Sequence, residues 1–145
     1  MMIVTETIHA TSIAISGRGV LITGPSGSGK SDLALRLIDR GAVLISDDYT
    51  AVVAEGDRLL LRPPANIAGK MEIRHLGIID MPHIENVPAV LLIRLEEQPE
   101  RMPDPFPSIL LAGTMLPLIA LAGREPSAPL KVEWALRHLA KSGDA

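Results

Sequence analysis

The sequence predicts an α/β domain, a mixed sheet with flanking helices. Three observations carry this prediction. Short apolar runs recur along the chain, two stretches repeat their apolar residues at helical spacing, and a glycine-rich stretch joins one such run to one such helix. With 145 residues the chain has room for one domain, assigned to residues 1–145.

The elements follow in order. Residues 5–16 alternate loosely and carry β-branched side chains, predicting a strand or bent hairpin arm; Gly17-Arg18-Gly19 reads as a turn. Val20-Leu21-Ile22 is a short buried strand. Lys30–Arg40 reads as a helix with Leu33, Ala34, Leu37 and Ile38 on one face and Gly41 at its C-terminal cap. Ala42–Ser46 is a second buried strand, ending in Asp47-Asp48. Ala51–Ala54 and Leu59–Leu61 form a hairpin around Glu55-Gly56-Asp57-Arg58. Ile78-Ile79, Ala89–Leu95 and, more weakly, Leu118–Leu121 are further strands. The proline-rich stretch Pro99–Pro107 is a surface loop. Leu130–Lys141 closes the chain as a helix, with Val132, Leu136, Leu139 and Ala140 on its packed face.

Composition narrows the function classes. There are no cysteines, so disulfides and thiolate metal sites are excluded, and a cytoplasmic setting is expected. A net charge of −3 argues against a general nucleic-acid partner. No apolar run reaches the ~20 residues that span a bilayer, and the start MMIVTETIHATS lacks a basic segment followed by an apolar one, so neither a membrane span nor a secretory leader is expected. Aromatic residues make up only 2% of the chain, so the core must be aliphatic.

Gly24-Pro25-Ser26-Gly27-Ser28-Gly29-Lys30-Ser31 matches the P-loop pattern G-x-x-x-x-G-K-[ST], between a buried strand and an amphipathic helix. Successive backbone amides converge on a polyphosphate only where side chains keep clear, which is the reason for the glycines. The helix N-terminus adds free donors. Lys30 is expected to reach the β- and γ-phosphates of ATP and Ser31 to ligate Mg²⁺. The competing reading, a loop that merely turns the chain, leaves that flanking context unexplained.

Asp47 and Asp48 stand 16 and 17 residues beyond Ser31, at the carboxyl end of a strand, where open α/β sheets bind ligands. One carboxylate would serve the metal and the other would take the acceptor's proton. A simple turn-capping pair is the alternative. The D-x-x-G and N-K-x-D patterns of GTPase switches are absent, as is a transporter-ATPase signature.

Together, His9, GRGVLITGPSGSGKS at 17–31, RGAVLISDD at 40–48 and MEIRHLGIID at 71–80 resemble the catalytic domain of HPr kinase/phosphorylase. The resemblance covers most of residues 9–80 and thins after about residue 95. It implies a P-loop kinase domain of the HPr kinase and PEP carboxykinase type. It also implies an ATP- and Mg²⁺-dependent serine kinase of a small HPr-like phosphocarrier, possessing the reverse phosphorylase reaction in the family at large. By resemblance, His9 and Lys30 are active-site residues, Asp48 is the proton acceptor with Asp47 beside the metal, and Glu72 is a second Mg²⁺ ligand with Ser31. Unaided, His9 reads as a strand histidine and Glu72 as a surface glutamate. Arg74, two residues beyond Glu72 on a strand, would share its face and neutralise phosphoryl charge. Arg101 resembles an active-site arginine in position; a solvated arginine is the other reading. The family implies a homo-oligomer, specifically a hexamer.

The sequence departs from the family pattern in three places. Nothing of the size of the family's N-terminal domain precedes His9. His75 stands where glycine is usual. The loop before the last helix, basic in the family and tied to dephosphorylation, is here Leu121-Ala122-Gly123-Arg124-Glu125-Pro126-Ser127-Ala128-Pro129. Arg124 is read there as solvent-facing, with replacement of a lost basic group as the other reading. The kinase direction is therefore the firmer expectation. A P-loop kinase of a small metabolite is the rival, though no arginine-rich lid is visible between residues 80 and 120.

Overall fold

The computed structural model describes residues 4–141. The first residues of the segment weighed above as a leader, and the side chain of Ala140, lie outside the described residues.

Eleven strands and two α-helices are arranged as one curled, mixed nine-stranded sheet, a separate two-stranded hairpin and helices packed against the sheet. In chain order the strands are β1 (Val4–Ile8), β2 (Thr11–Ile15), β3 (Arg18–Thr23), β4 (Val43–Ser46), β5 (Thr50–Glu55), β6 (Arg58–Arg62), β7 (Lys70–Ile73), β8 (Gly77–Asp80), β9 (Val87–Leu95), β10 (Ser108–Leu111) and β11 (Thr114–Leu121). Helix α1 is Lys30–Asp39 and α2 is Ala128–Lys141. The main path runs β1-β5-β6-β9-β3-β2-β4, and β11 also pairs with β9 and carries β10. Strand β9 is parallel to β3 on one side and parallel to β11 along Leu92–Leu95, so the carboxyl ends of β3, β9 and β11 open on the same edge.

The central strands are apolar on both faces, as expected for strands covered on both sides. On β3, Val20 and Ile22 enter one core with Leu33, Leu37, Val132 and Leu136 of the helices, while Leu21 enters a second core with Val52, Leu61 and Leu118. The α1 face behaves as its periodicity predicts: Leu33, Ala34 and Leu37 are buried. Gly41, at φ 112°, donates to Ile38 O and Ala42 donates to Leu37 O, a Schellman cap at the glycine the sequence marks.

Four expectations need correction. Residues 5–16 hold two strands, separated at His9-Ala10, with different partners: β1 pairs with β5, and β2 with β3 and β4. The turn is Ser16-Gly17, both with positive φ (51° and 76°), and Arg18 already belongs to β3; a two-residue turn of this hand matches strand twist better than a three-residue glycine turn. Strand β11 is longer than Leu118–Leu121 and is preceded by β10 through an Ala112-Gly113 turn with φ 47° and 83°. Arg74 lies in the turn between β7 and β8, where Leu76 N donates to Ile73 O, so it does not share a strand face with Glu72. His75 in the same turn has φ 76°, a conformation that favours glycine.

Candidate active site

The glycine-rich stretch connects β3 to α1, and α1 starts with no side-chain cap: its first flanking residue is Gly29, at φ 99°. A helix start left this way offers its amides and partial positive charge to an anion. Lys30 is buried at the base of the loop and folds back, its Nζ donating to Gly24 O at 3.0 Å and Pro25 O at 3.3 Å. Ser28 Oγ is buried with no hydrogen-bond partner. A Cβ placed on Gly24 would lie 2.7 Å from Ser28 Oγ and 3.1 Å from Leu95 Cβ, so only glycine fits there. A glycine-rich cradle, an orphaned hydroxyl and an ammonium satisfied only by carbonyls together fit a polyphosphate.

Beside the loop, the two adjacent carboxylates go separate ways. Tyr49 N donates to Asp47 O at 2.7 Å across Asp48, whose φ is 68°; this three-residue γ-turn is a strained form. The turn leaves Asp47 buried and Asp48 exposed. Asp47 Oδ1 accepts from Ser31 Oγ at 2.6 Å and from Thr11 Oγ1 at 3.2 Å, while its Oδ2 accepts from Glu72 N at 3.0 Å. Asp48 Oδ1 instead bonds His9 Nε2 at 2.8 Å. Thr11 ties the two arrangements together by also accepting from Asp48 N at 3.1 Å.

His9, Asp47, Asp48, Lys30 and Ser31 thus converge, although they come from three separate segments. Glu72 joins them through its main chain, and its side chain is exposed. Among the described residues no group of three or more His, Cys, Asp or Glu forms a metal cage. A hard cation here would draw on Ser31, Asp47 and Glu72 together with ligand oxygens, as Mg²⁺ does at phosphate sites. Arg101 lies in the exposed loop between β9 and β10 and makes no hydrogen bond or ion pair with the residues of the site.

Sequence reasoning missed two contributors and the contact made by a third. Thr11 is a fully buried polar residue whose role depends on β2 lying beside β4. Tyr49 packs its ring on His9, centroids 5.2 Å apart. Arg124 is exposed as expected, but its guanidinium donates to Gly27 O of the glycine-rich loop. Arg36 of α1 fixes the segment carrying it, donating to Gly123 O and, at 3.0 Å, to Glu125 O. The signal was present in a basic residue just beyond a parallel strand, but its target is 97 residues away in sequence.

Comparison with known proteins identifies the family. Residues 1–91 match the family model for the HPr Serine kinase C-terminal domain. An HPr kinase/phosphorylase of Limosilactobacillus reuteri is 35% identical over 129 residues, covering 80% of this chain and 40% of the relative. One from Clostridium acetobutylicum is 42% identical over 84 residues, 58% of this chain and 28% of the relative. The chain therefore spans well under half of these curated relatives. The structure of the HPr(Ser) kinase/phosphatase from Coxiella burnetii superposes with a TM-score of 0.83 at 32% identity, covering 97% of this chain and 99% of that one. Sequence and fold agree, and the chain belongs to the HPr serine kinase C-terminal domain family.

Proposed function

We propose that this protein is an ATP- and Mg²⁺-dependent serine kinase of a small HPr-like phosphocarrier protein. The observation that carries the reading is the splitting of two neighbouring carboxylates beside an uncapped helix start: Asp47 is bonded to Ser31, and Asp48 to His9. The names of the relatives, kinases of HPr, supply the acceptor class.

The loop amides of residues 24–31 and Lys30 hold the triphosphate. Ser31, Asp47 and Glu72 are the residues that would hold Mg²⁺, which supplies charge neutralisation at the β- and γ-phosphates. Asp48, oriented by His9, takes the proton from the acceptor hydroxyl. The new serine oxygen–phosphorus bond forms as the bridging β–γ oxygen–phosphorus bond breaks, and ADP leaves. Catalysis is chiefly positioning and electrostatic stabilisation. In this scheme Arg101 stabilises transition-state charge, which requires its loop to close on the site when the acceptor binds. The same family reading implies a cytoplasmic, hexameric enzyme; no helix among the described residues is long and apolar enough to cross a membrane.

Incubation with ATP, Mg²⁺ and HPr-like carriers, followed by mass spectrometry, is expected to show phosphoserine on the carrier, and none with Lys30→Ala. Phosphate appearing on a small metabolite while every carrier stays unlabelled would replace this reading with that of a metabolite kinase.

A further inference from the structure

Tyr49 is the protein's single tyrosine, and it is not a core residue: it is 48% exposed. Its main chain is fixed twice, donating from N to Asp47 O at 2.7 Å and accepting at its carbonyl from Ser46 Oγ. Its hydroxyl makes no hydrogen bond with another described residue. Neither core packing nor its polar tip accounts for the ring's position.

His9 does account for it. Strand β1 pairs with β5 so that Ile8 faces Thr50, and His9 and Tyr49 are the residues just beyond this last pair. The two rings lie with centroids 5.2 Å apart and planes tilted by 31°. Cross-strand aromatic neighbours at this separation attract each other beyond the area they bury. His9 sits on the bend between β1 and β2, and 41% of its side chain is exposed. The one hydrogen bond of its ring to a described residue, from Nε2 to Asp48 Oδ1, fixes a point on the ring but leaves rotation about that point free. The Tyr49 face restricts this rotation. Because Tyr49 follows Asp48 directly, the γ-turn that aims the carboxylate also aims the ring.

We propose that Tyr49 is a positioning residue that holds the His9 imidazole on Asp48. The kinetic consequence rests on the kinase reading above; the structural one does not.

Two measurements on the full chain test the proposal. His9→Gln assigns the His9 ring signals in the NMR spectrum among those of four histidines. Tyr49→Ala is expected to shift and broaden the His9 signals while leaving the other three in place, and Tyr49→Phe to preserve all four. His9 signals unmoved in Tyr49→Ala overturn the proposal. In the phosphocarrier assay, Tyr49→Ala is expected to lower kcat about threefold to tenfold with the KM for ATP unchanged, and Tyr49→Phe to retain activity. In a His9→Ala background, Tyr49→Ala should add no further loss. An equal loss in that background, or an effect confined to the KM for the carrier, overturns the proposal and makes the ring a packing or docking contact. A wild-type protein that labels no carrier removes the kinase reading alone, and the histidine signals still decide the place of Tyr49.

Discussion

Arg124 sits on the P-loop with its guanidinium on Gly27 O and its Cγ 3.8 Å from where a Cβ of Gly29 would stand. It supports the outside of a loop whose other face, in the proposed kinase reading, presents amides to phosphate. Arg124→Ala is expected to weaken ATP binding about tenfold, the loss of roughly one charge-assisted hydrogen bond, without changing the melting temperature by more than a degree or two. Titration calorimetry checks this; unchanged affinity would reduce Arg124 to a surface residue. His75 offers a test of opposite sign. It holds φ 76°, where a side chain costs about 1–2 kcal/mol and glycine almost nothing. His75→Gly should raise the unfolding free energy by about 0.5–1 kcal/mol in urea, after the entropic cost of glycine is counted. The residues of Gly24–Ser31 were legible because a P-loop is local: its chemistry lies in eight consecutive positions. The bond from His9 to Asp48 crosses 39 residues and that from Thr11 to Asp47 crosses 36, so neither contact can be read from spacing. Family resemblance pointed to His9, but nothing local pointed to Thr11.

Among the elements, periodicity served the helices and the central strands well. Lys30–Asp39 and Ala128–Lys141 carry strong apolar faces, and β3 and β9 read as continuous apolar runs because both their faces are covered. The hairpins were harder. Ser16-Gly17 and Ala112-Gly113 turn the chain with a non-glycine residue at positive φ, and neither pair belongs to the Asn-Gly or Asp-Gly patterns that mark such turns. Strand β10 was missed on that account. Strand β3 also has a tight point the sequence does not advertise. A Cβ on Gly19 would stand 2.9 Å from Pro88 O, a main-chain atom, where β3 meets β9 next to a register shift. Gly19→Ala therefore forces the strands apart at the base of the P-loop strand. Thermal unfolding should show a loss of about 1–3 kcal/mol, together with weaker ATP binding; a stability equal to wild type would mean that β9 yields without cost.

At the level of the whole molecule, the described residues form two cores, one beneath the helices and one within the curl of the sheet, and both include residues of β3 and β9. Strand β3, which leads into the glycine-rich stretch, is thus also at the centre of the packing. Ligand at the P-loop should then stabilise the molecule as a unit. At a hundredfold excess over its dissociation constant, ATP with Mg²⁺ should add about 2.7 kcal/mol to unfolding and raise the melting temperature by several degrees. Lys30→Ala should abolish this shift. A melting point indifferent to nucleotide in the wild type would contradict the P-loop reading.

The bare start of α1 also bears on attempts to harden the protein. Replacing Gly29 by serine or aspartate would ordinarily close a helix end and gain about 0.3 kcal/mol. Here the backbone at φ 99° resists any side chain, and a cap would occupy the donors that the proposed kinase reading assigns to phosphate. Thermostabilising libraries directed at this helix are expected to enrich changes at its far end and to exclude those at its beginning. In this protein, a conspicuous weak spot in a helix is better left open than repaired.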